Sequence, residues 1–561
     1  MGKQRPETYL NLVDQLLQCS PGEEEQILND NRELIDADLS QHMLQVADDL
    51  LKLGDFSNAA RLMNLAGQLL GAYGNSSTAM AFLIQVLQAV VDSNVDPEVV
   101  YPLLQANLQH LDDRFADVLR NWATAKLLEI DTEQSPSIAR LTLDFGNLMY
   151  GFPSGSKASN LEIAIASYEV AASIFTPDTF PQAWAEIHHN LGSAYSNRIR
   201  GERADNLEQA IACHKLALQI YTREAFPLDW AGIQHSLGST YSYRIREERA
   251  GNLEQAIACH KLALQIYTRE AFPQHWAEIQ CSLGEACHQR IRGERADNLE
   301  QAIACHKLSL QIYTREALSQ HWARSQHNLG GAYLNRVRLE RADNLEQAIA
   351  CCHLALQVHT REAFSHYWAL IQMTLGEAYR QRIRGERAGN LEQAISCYQD
   401  ALQIYTRESF PEDWARSQHN LGLVYSDRIQ GEQADNLEQA IVYYQDALQI
   451  RIRESLPYEW ATTQINLGKT YSDRIQGEPT ANLEQAIVYY QAALQICTHE
   501  SFPDEWAIIQ VNLGRTYADR IQGEPTANLE QAIVHYQAAL RAYTLSAIPI
   551  EQAKTLFHLV E

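Results

Sequence analysis

The sequence predicts an all-α fold, a solenoid of helix–turn–helix units that repeat every 46 residues. The segment Asn-Leu-Glu-Gln-Ala recurs at this fixed interval along most of the chain. Each unit holds two stretches with apolar residues at helical spacing, and nothing in it alternates as a strand does. Such a period is typical of stacked units that bury their apolar faces only against neighbours. An altered copy, Asn-Leu-Glu-Ile-Ala, begins at Asn160, and the exact copies begin at Asn206, Asn252, Asn298, Asn344, Asn390, Asn436, Asn482 and Asn528.

One unit, residues 206–251, illustrates the two helices. Asn206 is predicted to be the N-cap of one helix, with Gln209 completing a capping box. Pro227 is predicted to lie in the first turn of the other helix, because its fixed φ suits that position. Each helix is expected to run for about 17 to 20 residues. The apolar face of the Asn-led helix is predicted to consist of Leu207, Ala210, Ile211, His214, Ala217, Leu218 and Tyr221.

The Pro-led helix has a constant face and a variable face. Counted from its tryptophan, positions +1, +4, +7, +8, +11, +14 and +15 scarcely change between units, whereas +2, +5, +9, +12 and +13 change freely. At 100° per residue the two sets occupy separate arcs of about 140° and 100°. We expect the constant Trp, Leu, Gly, Tyr and Ile to pack between neighbours. In one unit the predicted structural residues are Trp230, Leu237, Gly238, Tyr241, Ala256 and Ala263.

Two signatures in these helices resemble the tetratricopeptide (TPR) repeat. One is Leu-Gly-x-x-Tyr at residues 191–195, and the other is Ala-x-x-x-His-x-x-Ala at residues 210–217. The usual unit has 34 residues, so this one is longer. The resemblance implies a right-handed superhelix in which the first, Pro-led helices line a concave groove. It covers residues 137–547 as an array of nine TPR-like helix pairs, and residues 548–561 are predicted to form a C-terminal capping helix.

Residues 1–136 are predicted to form a helical region with one TPR-like unit, which is marked by Gly54, Phe56, Ala59 and Ala66. Such a region before such an array is similar to the front part of bacterial TPR proteins that carry a caspase-like CHAT domain. No CHAT segment occurs within the 561 residues. This resemblance gives an alternative function, the sensor or substrate-recruiting arm of a CHAT-type protease system.

Composition favours a cytoplasmic protein. The formal net charge of −25 repels nucleic acid and anionic lipid unless basic residues gather on one face. No apolar run approaches the length of a membrane span, and the start of the chain lacks the apolar stretch of a signal peptide. Five of the ten cysteines occupy one position in successive units, too far apart for disulfides, so we expect them to be reduced.

The sequence predicts neither an enzyme nor a cofactor site. It contains no Gly-rich phosphate loop, no His-Glu-x-x-His and no Cys-x-x-Cys, so no catalytic residue and no metal ligand are proposed. His214, His260 and His306 are predicted to lie in the core. A ladder of polar groups is favoured over a metal site for the histidines at position +5, which are His189, His235, His327 and His419.

The favoured function is a non-enzymatic scaffold, for example in signalling, that binds a protein or peptide in the concave groove. In TPR proteins the ligand contacts fall at the positions that vary here. The last units combine acidic, basic and apolar side chains, a mixture that suits an extended peptide or a helix with basic and apolar groups. Drift of an exposed face after duplication is the alternative. The groove residues are predicted to be Glu186, His189, Arg324, His327, Met373, Glu377, Arg380, Arg416, His419, Leu423, Asp427, Ile465, Lys469, Asp473, Ile508, Val511, Arg515 and Asp519.

A second alternative is nucleic-acid binding through a ridge of arginines on the loops, although such arginines more often pair with neighbouring glutamates. Near-identical units can also pair out of register, so self-association is a further expectation. The ridge would comprise Arg198, Arg200, Arg203, Arg290, Arg292, Arg295, Arg382, Arg384 and Arg387.

Overall fold

The computed structural model describes residues 5–19, 24–31, 34, 37–52, 55, 58, 59, 61–63, 65, 66, 74–129 and 134–545. The chain divides into two compact units, residues 1–291 and 292–561. Across the described ranges every long element is an α-helix and none is a strand, as the repeat predicts. The predicted boundary at residues 136 and 137 stays a prediction. Gly54, Phe56 and the capping helix of residues 548–561 lie outside the described ranges.

The first unit contains thirteen described α-helices and one short 3₁₀ turn, Leu108–His110. Those before the array are α1 (Arg5–Gln18), α2 (Glu24–Asp30), α3 (Ala37–Lys52), α4 (Gly74–Asp92), α5 (Pro97–Gln105) and α6 (Asp113–Glu129). The helices of the array are α7 (Ser135–Gly151), α8 (Lys157–Ile174), α9 (Pro181–Asn197), α10 (Arg203–Ala217), α11 (Pro227–Tyr243), α12 (Arg249–Ala263) and α13 (Pro273–Gln289).

The second unit continues the alternation of first and second helices. Its described helices are α14 (Arg295–Ser309), α15 (Ser319–Asn335), α16 (Arg341–Leu356), α17 (Ser365–Gln381), α18 (Arg387–Leu402), α19 (Pro411–Asp427), α20 (Gln433–Ala447), α21 (Pro457–Ser472), α22 (Pro479–Ala493), α23 (Pro503–Ala518) and α24 (Pro525–Leu545).

The helix boundaries agree with the sequence at the prolines and differ at the asparagines. Helix α11 begins at Pro227, as predicted. Helix α10 begins at Arg203, so the prediction that Asn206 is its N-cap is wrong. Asn206 is buried in the first turn, and its Nδ2 donates to the carbonyl of Arg200 at 2.7 Å. The asparagine therefore fixes the preceding loop, which would otherwise expose unpaired carbonyl groups.

The two helices of a hairpin meet at the constant face. Leu237 and Tyr241 are nearly covered, and a Cβ placed on Gly238 would lie 2.8 Å from the ring of His260. Ala256 and Ala263 are fully buried on the second helix. Trp230 is only half-buried, and the guanidinium of Arg223 lies over its ring at 5.6 Å. The small residues thus let the helices approach, and the large ring is partly covered by an arginine.

The constant isoleucine at position +15 is not part of this core, and that expectation was wrong. These side chains are between 59% and 65% exposed. The first helix ends at position +13, so position +15 lies in the turn beyond it and leaves the helical face. The residues concerned are Ile199, Ile245, Ile291, Val337, Ile383, Ile429, Ile475 and Ile521.

Within each unit, consecutive first helices lie closer together than consecutive second helices do. This holds for α9 and α11 in the first unit and for α15, α17, α19, α21 and α23 in the second. Because the spacing is tighter on that side, each stack curves locally with the first helices on its inner side. The variable positions belong to these inner helices.

Candidate functional site

Ion pairs join consecutive helix hairpins of the array. In a typical pair, Nε and Nη2 of Arg474 donate to the two carboxylate oxygens of Glu438 at 2.7 and 2.8 Å. Both side chains are about three-quarters covered, and two parallel bonds fix their geometry. Both residues are constant in the sequence, but a separation of 36 residues gave no indication that they form a pair. The other pairs are Arg198–Glu162, Arg244–Glu208, Arg290–Glu254, Arg336–Glu300, Arg382–Glu346, Arg428–Glu392 and Arg520–Glu484.

The same pairs remove most of the free charge from the predicted arginine ridge. The hydrogen bond from Arg382 holds the pKa of Glu346 below its ordinary value. Arg384 lies 2.5 Å from Asp343, Arg200 pairs with Asp113, and Arg203 donates to the carbonyl of Ser196. A ridge whose arginines are held by acids and carbonyls presents little field to a polyanion, so the geometry does not favour nucleic-acid binding.

The predicted groove residues lie at three levels of exposure on the first helices. The exposed residues are Arg416, Asp427, Lys469, Ile508, Arg515 and Asp519. The half-buried residues are Glu186, His189, Arg324, His327, Glu377, Arg380, Leu423, Asp473 and Val511. The buried residues are Met373, His419 and Ile465.

The three buried residues must be withdrawn as ligand contacts. All of them occupy position +5, which faces the next first helix of the stack. Sδ of Met373 accepts a hydrogen bond from Ser417, and Nδ1 of His419 lies 3.0 Å from the hydroxyl of Thr463. Position +5 varies because it packs against a variable neighbour, so variation alone did not indicate exposure.

Two other histidines at position +5, His235 and His327, also contact the next first helix. Nε2 of His235 lies 3.3 Å from Ser282, and Nε2 of His327 lies 3.0 Å from Thr374. Burial lowers the pKa of His189 to about 4, so this imidazole is neutral at pH 7. Among the described residues no three metal-ligating side chains come together. The imidazoles of His235, His327 and His419 therefore act as polar links between first helices.

Some charged groove residues form ion pairs with acidic or basic side chains of their own helix. Burial alone would raise the pKa of Glu377, but Arg380 at 2.7 Å outweighs it and holds that pKa below its ordinary value. Arg416 pairs with Asp413 at 2.6 Å. Such pairs are held by the protein itself, so a ligand must compete for them.

The last units leave an open polar cavity on this face. Its volume is about 390 Å³, and an ion pair between Arg515 and Asp473 at 3.3 Å lies on its rim. Two cations, one acid and several hydroxyl groups face the same space, so it offers both charge signs to a ligand. It is lined by Ser426, Gln433, Leu437, Lys469, Thr470, Ser472, Asp473 and Arg515.

Helix hairpins that meet through Leu-Gly-x-x-Tyr and Ala-x-x-x-His/Tyr-x-x-Ala, and stack with their first helices inward, define a repeat protein of the tetratricopeptide type. The family model of the soluble NSF attachment protein, SNAP, matches residues 294–457, less than one third of the chain. No curated protein matches the sequence. None of the described helices is long and apolar enough to cross a bilayer.

Solved structures are similar to this chain only at low identity and low TM-score. The APC/C hetero-tetramer Cut9-Hcn1 is 15% identical over 99% of this chain and 98% of that chain, with a TM-score of 0.40. The apo form of RapI is 14% identical over 56% and 97%, with a TM-score of 0.38. The Rap conjugation gene regulator of plasmid pLS20, in complex with the Phr* peptide, is 13% identical over 73% and 97%, with a TM-score of 0.34. At these scores the likeness carries no argument about a ligand.

Proposed function

We propose that this chain is a non-enzymatic scaffold that binds a peptide or protein segment along the exposed variable side chains of its first helices. The observation that carries the proposal is the closer approach of these helices to one another. This approach supports a ligand surface on the inner side of each stack, where variable side chains from several hairpins can contact one ligand.

The second unit offers the most complete ligand surface. Positions +9 and +13 of its last hairpins carry exposed charges, Lys469 and Arg515 at the former and Asp427 and Asp519 at the latter. Ile508 is 46% exposed beside them. Acidic side chains that recur once per hairpin, next to apolar side chains, suit an extended peptide or a helix with basic and apolar groups.

A matched pair of triple variants tests this proposal. The groove variant combines Asp427→Asn, Asp473→Asn and Asp519→Asn. The control combines Glu408→Gln, Glu454→Gln and Glu500→Gln, which removes the same charge from exposed turns of neighbouring hairpins. Peptides selected from a random library on the unmodified protein are then measured against both by titration calorimetry.

The groove variant is expected to bind the selected peptides about tenfold or more weakly, because each lost acid removes a charge-assisted contact. The control should bind them nearly as well as the unmodified protein does. Equal affinities for the two variants would mean that the ligand lies elsewhere. Circular dichroism of both variants checks that helix content is unchanged.

A further inference from the structure

One position near the end of the second helix closes a gap between the two helices of a hairpin. This position is tyrosine in several hairpins, and the phenol donates to a carbonyl in the first turn of the first helix of the same hairpin. Tyr221 donates to Gln182 at 3.1 Å, and Tyr267 donates to Leu228 at 3.0 Å. The phenol therefore fills the space beneath the start of the first helix.

In one hairpin of the second unit this position is His359, whose shorter side chain leaves a cavity of about 100 Å³. His359 is 2% exposed, and its Nδ1 makes no hydrogen bond within the described part of the chain. Its ring stacks on Tyr367 at 4.9 Å. The residues lining the cavity are Gln320, His321, Arg324, His359, Phe364 and Tyr367.

The chemistry of this lining suits an anion. It supplies a guanidinium, two imidazoles and an amide, and it contains no carboxylate in a protein with a net charge of −25. The cavity also lies at the N-terminal turn of α15, where backbone N–H groups and the helix dipole favour negative charge. That helix starts with Ser319 instead of proline, so its first residue keeps an N–H group.

The size and openness of the cavity limit the ligand. A volume of about 100 Å³ corresponds to about three water molecules at 30 Å³ each, which is enough for one carboxylate or phosphate group. Gln320, His321 and Tyr367 are exposed at its mouth. A side chain from a bound peptide can therefore enter from the surface and reach the buried imidazole.

We propose that this cavity is an oxyanion subsite that holds the carboxylate of an Asp or Glu side chain in a bound peptide. The inference rests on the peptide-binding function proposed above and adds one acidic group to the ligand. The contacts are a hydrogen bond from His359 and an ion pair with Arg324. Phosphate shares this chemistry, so the test separates the two sources.

The experiment follows His359 by NMR in protein with isotope-labelled histidine, and the resonance is assigned by its loss in His359→Tyr. The probes are N-acetyl-glutamate methylamide, its glutamine counterpart and inorganic phosphate. We expect a saturable shift with the glutamate compound and none with the glutamine compound. Arg324→Gln should weaken that binding about tenfold or more, because it removes a charge-assisted contact. A response to phosphate alone would overturn the carboxylate assignment.

Tyr405→His provides a matched control for cavity volume. The phenol of Tyr405 donates to the carbonyl of His366 at 3.3 Å, so its removal opens the corresponding space in the next hairpin. The residue equivalent to Arg324 is Leu370 there, and we expect no saturable shift of the new histidine with the glutamate compound. An equal response in the two cavities would show that volume, not the cation, explains the binding, and would overturn the proposal.

The two proposals can fail separately. If selected peptides bind His359→Tyr as well as the unmodified protein and ignore a Glu→Gln change in the peptide, the oxyanion subsite is wrong and the scaffold function stands. If the glutamate compound binds at His359 but the groove and control triple variants bind peptides equally, the proposed groove is wrong and the anion-binding cavity stands.

Discussion

One packing position is histidine in the hairpins of residues 181–263 and tyrosine in the hairpins of residues 411–493. In the first group, His214 and His260 are fully buried, and their ring nitrogens make no hydrogen bond within the described chain. In the second group, Tyr444 fills the same place and its hydroxyl lies 3.4 Å from Ser426. The two groups share one shape, but only the tyrosines satisfy their polar atom. Core shape and polar pairing are thus separate requirements.

The largest effect is expected from filling the space opposite this residue. A Cβ at Gly422 would lie 2.6 Å from the ring of Tyr444, and a Cβ at Gly192 would lie 2.6 Å from the ring of His214. Gly422→Val should therefore cost about 3 kcal/mol of local stability through overpacking. Gly192→Val should cost less, because the imidazole has no hydrogen bond to hold it in place.

Hydrogen exchange measures this comparison hairpin by hairpin, which suits an array that need not unfold in one step. Loss of protection should be confined to the hairpin that carries the change. Equal losses in the two hairpins would show that the hydrogen bond of the phenol does not restrain the ring.

The next effect is a difference in acid stability. Burial, with a smaller contribution from His189, lowers the pKa of His214 to about 3, against about 6.5 in an unfolded chain. The unfolded state therefore binds the proton first, and stability falls as the pH drops from about 6.5 towards 3. His214 alone should cost about 2 kcal/mol at pH 5 relative to pH 7.

Reciprocal substitutions sharpen that comparison. His214→Tyr should remove the contribution of His214 and leave that of His189, since Ser196 occupies the place that Ser426 has beside Tyr444. Tyr444→His should add a comparable loss to the one that buried His419, whose pKa burial also lowers, already causes in that hairpin. Exchange rates at pH 7 and pH 5, corrected for intrinsic chemistry, give the result. Unchanged pH dependence in both variants would show that these imidazoles do not control acid stability.

The smallest effect concerns the loops before the second helices. Most of these loops have a glycine at positive φ, such as Gly431 at 81°, but Glu247 and Leu339 adopt φ of 68° and 65°. Glu247→Gly in the first unit and Leu339→Gly in the second relieve that backbone strain. Part of the gain is lost to the greater freedom of glycine in the unfolded chain. Each should stabilise its own loop by about 0.5 kcal/mol.

Exchange of the loop amides measures this gain, and Gly431→Ala serves as the opposite control because it introduces the same strain. A gain in only one of the two loops would mean that the other side chain makes a compensating contact.

The period, the helical class and the helix starts at prolines could be predicted because each is written in local chemistry that recurs in every copy. Asn206 could not be placed correctly, because asparagine favours caps in general, and only the path of the loop reveals carbonyls within its reach. Position +5 was misjudged for a related reason. Variation distinguishes constant from free positions, but it does not separate solvent from a neighbour that varies too.

The candidate site was less predictable than the fold. The charged positions on the first helices could be located, but the ion pairs among them depend on which rotamers meet, as between Arg515 and Asp473. The cavity beside His359 depends on a side chain too short to reach a carbonyl 39 residues earlier. The spacing of residues along one helix predicts neither the ion pair nor the cavity.

The arginine–glutamate pairs have a consequence for how such a chain changes length. Each hairpin inside the array carries an arginine for the hairpin before it and a glutamate for the hairpin after it, as Arg474 and Glu484 do towards Glu438 and Arg520. A duplicated or deleted block of 46 residues leaves each bond with a partner at the junction. Growth by complete copies therefore preserves the arginine–glutamate pairs, whereas an insertion of any other length separates the two residues of a pair.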